Sequence, residues 1–221
     1  MKKKVIVSWS SGKDSTLTLL RLQQDPTYEL VGLYTTHVDE EVPFQATPIE
    51  IVKQQADLIG LPLVTILLPE VFPSNSVYQS LVVDGLRKSE LKIDAVAFGD
   101  MFCNGIADYR RGYIEKAGWE CVFPLLGQDS KKLAQEILSV GIRTLVTTID
   151  TSQLDGRFCG VWFDDAFLEQ LPCQVDPCGE NGEFHTLVVD APCFRTPLLI
   201  APSTVEREER FHYQRYTARI S

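Results

Sequence analysis

The sequence predicts an α/β protein: a five-stranded parallel sheet with helices on both faces, followed by a smaller mixed α+β domain. Three observations predict it. Short apolar, β-branched runs alternate with helix-length segments through the first 123 residues, the pattern of βαβ units. Crossovers between parallel strands are right-handed and need a helix-sized connection, which places helices on both faces. After Pro124 the alternation gives way to β-like runs separated by irregular chain. The length of 221 residues allows one large domain or two small ones. A composition of 44% apolar and 23% charged residues is an ordinary globular mix. It excludes disorder along the whole chain and a collagen-like or low-complexity polymer.

Each element has its own reason. Residues 4–9 (KVIVSW) form a buried strand, and 15–22 (STLTLLRL) a helix stopped by Asp25-Pro26. Residues 30–36 (LVGLYTT) are the second strand. Residues 48–59 form a helix with Ile51, Val52, Gln55 and Ile59 near one face, closed by Gly60 and Pro62. The third strand is 63–68 (LVTILL), the next helix 74–88. The fourth strand, 95–98 (AVAF), ends at Gly99-Asp100. A helix over 106–117 leads to a fifth strand at 120–123. Beyond it come a helix (129–140), a strand (142–149) and an irregular stretch rich in aromatics and cysteines. A Gly-rich turn at 178–182 precedes β-like runs at 184–189, 198–201 and 207–220. The boundary falls near 124–128, giving domains 1–125 and 126–221. No Pro-, Gly- or Ser-rich linker separates them, so the two parts are expected to pack firmly.

In an open parallel sheet the ligand lies beyond the carboxyl ends of the strands, where strand order reverses. The segment after the first strand, Ser10-Ser11-Gly12-Lys13-Asp14-Ser15, suits an anion there. A helix N-terminus supplies unpaired N–H groups and partial positive charge, Gly12 allows close approach, the serines add donors and Lys13 adds a full charge. The alternative is a polar turn with Ser10 as helix cap. The segment lacks the G-x-x-x-x-G-K-[ST] spacing of a Walker loop and is not G-x-G-x-x-G.

Charge and cysteine usage narrow the function classes. Lys plus Arg is 21 and Asp plus Glu is 30, a net charge of −9, which argues against non-specific binding to nucleic acid or an anionic membrane. The N-terminal apolar run, Val5 to Val7, is too short for a signal-peptide core, and no stretch reaches the roughly 18–20 apolar residues of a span. Both point to the cytoplasm. The six cysteines, Cys103, Cys121, Cys159, Cys173, Cys178 and Cys193, include no CxxC pair and are expected as free thiols. A zinc site from Cys173, Cys178, Cys193 and His185 has the right residue types without knuckle or ribbon spacing.

The loop resembles the pyrophosphate loop of ATP pyrophosphatases, SGGKDS or SGGxDS, with Ser11 in place of the first glycine. That replacement implies that position 11 does not need positive φ. Three further segments extend the likeness. FPLLGQD (123–129) resembles a PLWGxD signature, Asp108-Tyr109-Arg110 with Glu115 an EYQ…RxE segment, and PCGENGEFHTL (177–187) the run GEGGEFETLV. Together these resemble the diphthine–ammonia ligase-like family. Tyr113 stands where the Arg of RxE is expected, Arg110 replaces Gln, and His185 replaces Glu. Gly99-Asp100 with Asn181 and His185 is more similar to the bacterial branch, in which diphthamide does not occur and the acceptor would be a different molecule.

The resemblance implies a HUP-type nucleotide domain, ATP with Mg2+, and activation of a carboxylate for attack by ammonia. Its loop would grip the β and γ phosphates, leaving the α-phosphorus open to a substrate oxygen, so that pyrophosphate departs and an adenylated substrate remains. Ser10, Ser11, Gly12, Lys13, Asp14 and Ser15 would hold the nucleotide, His37 would border the adenine, and Asp100 would sit at the ligand rim. Lys13, Asp14 and Glu183 are the catalytic candidates, and Asp14 the Mg2+ ligand. Tyr109, Arg110, Gly179, Glu180, Gly182, Glu183 and His185 would face the acceptor, a small-molecule or protein-borne carboxylate, with ammonia or an amine as donor. A homodimer is compatible with this reading. Two other readings stay open: sulfur insertion into a nucleobase, disfavoured by the charge and the missing CxxC, and an ATP or AMP sensor without turnover. Phe44, Trp119, Phe158, Trp162 and Phe163 are expected in packing.

Overall fold

The computed structural model describes residues 1–102 and 104–218; Cys103 and the last two residues of the 207–220 run lie outside the described residues. The first half is a parallel sheet of β1 (Lys3–Ser8), β2 (Tyr28–His37), β5 (Leu63–Leu67), β6 (Ala95–Ala97) and β7 (Glu120–Val122), in the order β5-β2-β1-β6-β7. Helices α1 (Lys13–Gln24), α2 (Ile49–Ile59), α3 (Asn75–Lys88) and α4 (Ile106–Ile114) connect them. The five strands expected from the sequence are these five. Strand order reverses between β1 and β6, so the loops leaving those two strands flank the crevice in which such sheets bind ligands.

Alternation along β1 divides the core. Val5 and Val7 point to one face and pack with Leu17 and Leu19 of α1 and Val52 of α2. Ile6 points to the other and packs with Val82 and Leu86 of α3 and with Ile114 of α4. All three β1 residues are fully buried, as expected of a central parallel strand covered on both sides.

The second half holds α5 (Ser130–Ser139), β8 (Arg143–Asp150), α6 (Asp165–Gln170), β9 (Phe184–Asp190), β10 (Ile200–Arg207) and β11 (Phe211–Ala218). Its strands form an antiparallel sheet in the order β10-β11-β8-β9. Leu133 and Ile137 of α5, Val146 and Ile149 of β8, and Leu187 of β9 join the same apolar cluster as Val5 and Val7. The two sheets therefore share one core, the firm packing expected from the missing linker. Two features escaped the sequence: the hairpin of β3 (Glu41–Val42) and β4 (Thr47–Pro48), and α6 within the stretch read as irregular. Phe158 and Phe163 pack in the core as expected, and Trp119 sits partly buried against the cluster around Ile6 on the other face of the sheet. Phe44 and Trp162 instead stand largely exposed, Trp162 with Arg143 over its ring at 5.4 Å. Among the described residues no helix is long and apolar enough to cross a membrane.

Candidate functional site

Helix α1 starts directly after the polar loop, with Gly12 as its N-cap and no side-chain cap. Ser10 is not the cap, so the helix N-terminus is left for another partner. Gly99, leaving β6, passes so close that a Cβ there would lie 3.1 Å from the Asp14 carbonyl carbon and 3.2 Å from the Ser15 nitrogen. A side chain there would press on the start of α1, and glycine relieves that crowding. On the far side stands the turn before β9. The Lys13 N–H donates to Thr186 Oγ1 at 3.3 Å, and Lys13 Nζ donates to the Cys178 carbonyl.

Between these segments lies a cavity of about 610 Å3. It is walled by the loop (Ser10, Gly12, Lys13, Asp14, Ser15), by Asp100, Tyr109 and Arg110 from the β6–α4 side, and by Gly179, Glu180, Gly182 and His185. Twelve of the residues singled out in the sequence thus meet in one place. Three do not line it. His37 ends β2 and its Nδ1 lies 2.7 Å from the Asp39 carbonyl. Ser11 is fully buried behind the loop. Glu183, only 2% exposed, turns inward and accepts from Asp176 N (2.9 Å), Asn181 N (2.9 Å) and Asn181 Nδ2 (3.0 Å). It buckles the turn instead of facing the cavity.

Ser11 corrects a sequence expectation: its φ is +70°. The position where the resembling loops carry glycine is left-handed here, with a side chain that disfavours it. Missed altogether were Thr186 and Gln45, which also line the cavity, and Gln55, buried behind it. Thr186 lay within a segment already singled out; Gln55 carried no signal beyond its place on the buried face of α2.

The electrostatics separate the cavity's groups. Lys13 is 2% exposed; burial works against its ammonium, but Asp14, Cys178 and Glu180 outweigh burial and hold its pKa above the ordinary lysine value. Asp14 donates nothing and receives one bond, from Lys13 Nζ to Oδ2 at 2.8 Å. Its Oδ1 is buried with no partner among the described residues, and burial raises its pKa against the pull of Lys13. Glu180 accepts one long bond from Met101 N at 3.3 Å; burial, then the Asp14 charge, push it up to about 7. His185 is pushed down to about 4 by burial and by Lys13, so its imidazole is neutral at pH 7. Arg110 lies with its guanidinium 4.8 Å from the Phe98 ring centroid and 3.3 Å from Asp100 Oδ2, a fixed cation on the opposite wall. Burial disfavours the Cys178 charge most and lifts its thiol pKa, the reverse of an activated thiolate.

Among the described residues no group of three or more His, Cys, Asp or Glu side chains is placed to hold a metal on its own, so the zinc arrangement does not form. Mg2+ asks for less: one or two carboxylates, with phosphate and water completing its shell. The orphaned Asp14 oxygen supplies that donor, and a nearby cation would relieve its raised carboxyl. The described cysteines, Cys121, Cys159, Cys173, Cys178 and Cys193, are free thiols.

Comparison with known proteins is consistent along the chain. A family model described as the diphthamide synthase N-terminal domain matches residues 3–121, and one described as the diphthamide synthase C-terminal domain matches residues 129–220. The diphthine–ammonia ligase of Schizosaccharomyces pombe is 23% identical over 231 residues, covering 91% of this chain and 37% of the relative. The chain thus spans little more than a third of that relative's length. Among solved structures, a predicted subunit of tRNA methyltransferase from Methanocaldococcus jannaschii is 18% identical, with a TM-score of 0.45 over 64% of this chain and 77% of that one. The U34-tRNA thiolase NcsA from Methanococcus maripaludis is also 18% identical, with a TM-score of 0.40 over 63% of this chain and 57% of that one.

Proposed function

The chain belongs to the diphthamide synthase family, and from that premise we propose that it is an ATP-dependent, AMP- and pyrophosphate-forming ligase. It adenylates a carboxylate or amide oxygen, which ammonia or an amine then attacks. The observation that carries the reading is the cavity shared by the Ser10–Ser15 loop and the turn before β9, segments joined by the Lys13 Nζ bond to the Cys178 carbonyl, 165 positions away.

The uncapped start of α1 and Lys13 receive the β and γ phosphates, and Lys13 offsets the charge that grows on the leaving pyrophosphate. To do so its ammonium exchanges the Cys178 carbonyl for a phosphate oxygen. Mg2+, held by Asp14, would supply charge neutralisation on the phosphates. The acceptor oxygen bonds to the α-phosphorus as the α–β bridge breaks and pyrophosphate leaves. The nitrogen then bonds to the activated carbon, and AMP leaves with the C–O electron pair. Arg110 orients an acceptor carboxylate. Glu180, titrating near neutral pH, takes the proton that the attacking nitrogen must lose. Glu183 keeps the turn in shape, and His185 offers a neutral polar surface. Residues 1–125 would bind the nucleotide, and 126–221 together with Arg110 the acceptor.

ATP labelled in the α-phosphate, offered with carboxylate acceptors and ammonium, should yield AMP and pyrophosphate in equal amounts. Release of ADP and phosphate would refute the reading, and tight ATP binding without turnover for any acceptor would favour a sensor.

A further inference from the structure

We propose that Gln55 is a positioning residue: its buried amide, acting with the C-terminal sheet, clamps the phosphate loop in a backbone conformation that Ser11 does not adopt unaided. The proposal deepens the nucleotide-binding reading above and rests on it.

Ser11 has a φ of +70°, in the left-handed region that costs a side-chain-bearing residue about 1–3 kcal/mol. Such a conformer persists where its surroundings over-determine it. Two anchors do so here. The Ser11 carbonyl accepts from Gln55 Nε2 at 3.2 Å and from Val188 N, in β9, at 3.0 Å. The Ser11 hydroxyl lies 3.0 Å from both Gln45 Oε1 and Thr47 Oγ1, and Thr47 Oγ1 accepts from the Tyr216 hydroxyl of β11 at 3.1 Å.

Gln55 is fully buried on α2, and both hydrogens of its amide are used. Its Oε1 accepts from Trp9 Nε1 at 2.9 Å, and its Nε2 donates to Ser11 O and, at 2.7 Å, to Val188 O. An indole N–H only donates, so the amide oxygen must face Trp9 and both amide hydrogens must face carbonyls. Gln55 therefore ties together the end of β1, the phosphate loop and β9. Ser11 itself stays out of the cavity, but it sets the direction in which Ser10 and Gly12, both in the wall, present themselves. With Gly at position 11 the conformation would be free of strain and would need no clamp.

The test is a double-mutant cycle on the full chain. ATP binding with Mg2+ is measured by calorimetry and unfolding by thermal melting, for wild type, Q55L, S11G and S11G/Q55L. Q55L should weaken ATP binding about tenfold, equivalent to about 1.4 kcal/mol. S11G should bind at least as tightly as wild type, and S11G/Q55L should bind within about twofold of S11G. An equal loss on Q55L in both backgrounds, or no loss in either, overturns the clamp. Y216F keeps the ring and loses one anchor. It should weaken binding less than Q55L, and not at all with Gly at position 11. This arm decides the question if Q55L does not fold. Should wild type bind no ATP, the proposed function fails, and the clamp is judged on melting alone. It survives if S11G recovers part of the stability lost on Q55L, and it falls if the loss is the same in both backgrounds.

Discussion

Four buried or half-buried carboxylates, one pair around Asp150 and Glu183 and one around Asp14 and Glu180, show how the same side chain serves two ends. Asp150 is saturated: it accepts from Arg210 Nη2 at 2.7 Å, Ser152 N at 3.0 Å, Ser152 Oγ at 2.6 Å and Gln153 Nε2 at 3.0 Å. The Arg210 bond, against the opposing cost of burial, holds its carboxyl well below the usual range. Glu183 is likewise filled by three N–H donors from its own turn. Among the described residues Asp14 and Glu180 accept one bond each, and both pKa values are raised, chiefly by burial. A carboxylate with its lone pairs occupied stabilises a fold and has little left to offer a ligand. One buried without partners costs stability until a cation, proton or substrate donor arrives.

The largest effect expected from this contrast is at Glu180. Glu180→Gln should lower turnover roughly 10²- to 10⁴-fold, the range for losing a positioned general base, and should leave ATP binding largely in place. The wild-type kcat/KM should rise with pH through a midpoint of about 7, because the base works only when deprotonated; the variant should lose that limb. Stability should move the other way. The folded pKa lies above the unfolded value of about 4.5. The ionised group thus costs stability, increasingly as pH rises from 4.5 to 7 and fully above that. Removing the charge should raise stability at pH 8 by about 1 kcal/mol, discounted for partial exposure. A variant that melts lower at pH 8 and keeps its pH profile would erase the distinction between the two pairs.

At Glu183 the prediction inverts. Glu183→Ala strands three N–H donors around the turn and should cost about 2 kcal/mol. For a chain of this length that is a melting shift of ~4–8 °C. Activity should fall only as far as the turn loosens, seen as a higher KM for the acceptor with a smaller change in kcat. A collapse of kcat with unchanged melting would move Glu183 into the chemical pair.

That inversion also marks what the sequence could and could not disclose. The parallel sheet was legible because central strands buried on both faces are continuous apolar runs, such as KVIVSW and LVTILL, set between turn residues and helices. Helix α6 was not, because six residues are too few to show a period; its start is marked only by Asp164 accepting from Phe167 N. The Ser10–Ser15 segment was legible as a strand–loop–helix junction because the three pieces are contiguous. The roles of Glu180 and Glu183 were not, although they stand three residues apart. Which of them faces the cavity depends on Asp176 and Asn181 turning their N–H groups inward, and on Gly182 at φ +82° between them. Ser11 was misjudged for a similar reason. Its left-handed backbone is held by Gln55, Val188 and Thr47, partners 36 or more residues away, and nothing local reports them.

The smallest predicted effect concerns Asp150, where the partner is the more exposed member. Arg210 is 61% exposed and Asp150 is 2% exposed, so solvent screens much of the attraction. Asp150→Asn keeps an acceptor for Ser152 and loses the charge, and should cost about 1 kcal/mol at pH 7. The sign with pH follows from a folded pKa depressed below the unfolded value of 3.8. The ionised form contributes its full stabilisation above that value and loses it progressively as pH falls below. Wild type and variant should therefore differ at pH 7 and converge in acid, and 1 M salt should narrow the neutral-pH gap. A gap that persists undiminished at pH 2 would mean that Asp150 acts through shape and hydrogen bonding alone. The contrast with Asp14 and Glu180 would then rest on bond saturation and not on charge.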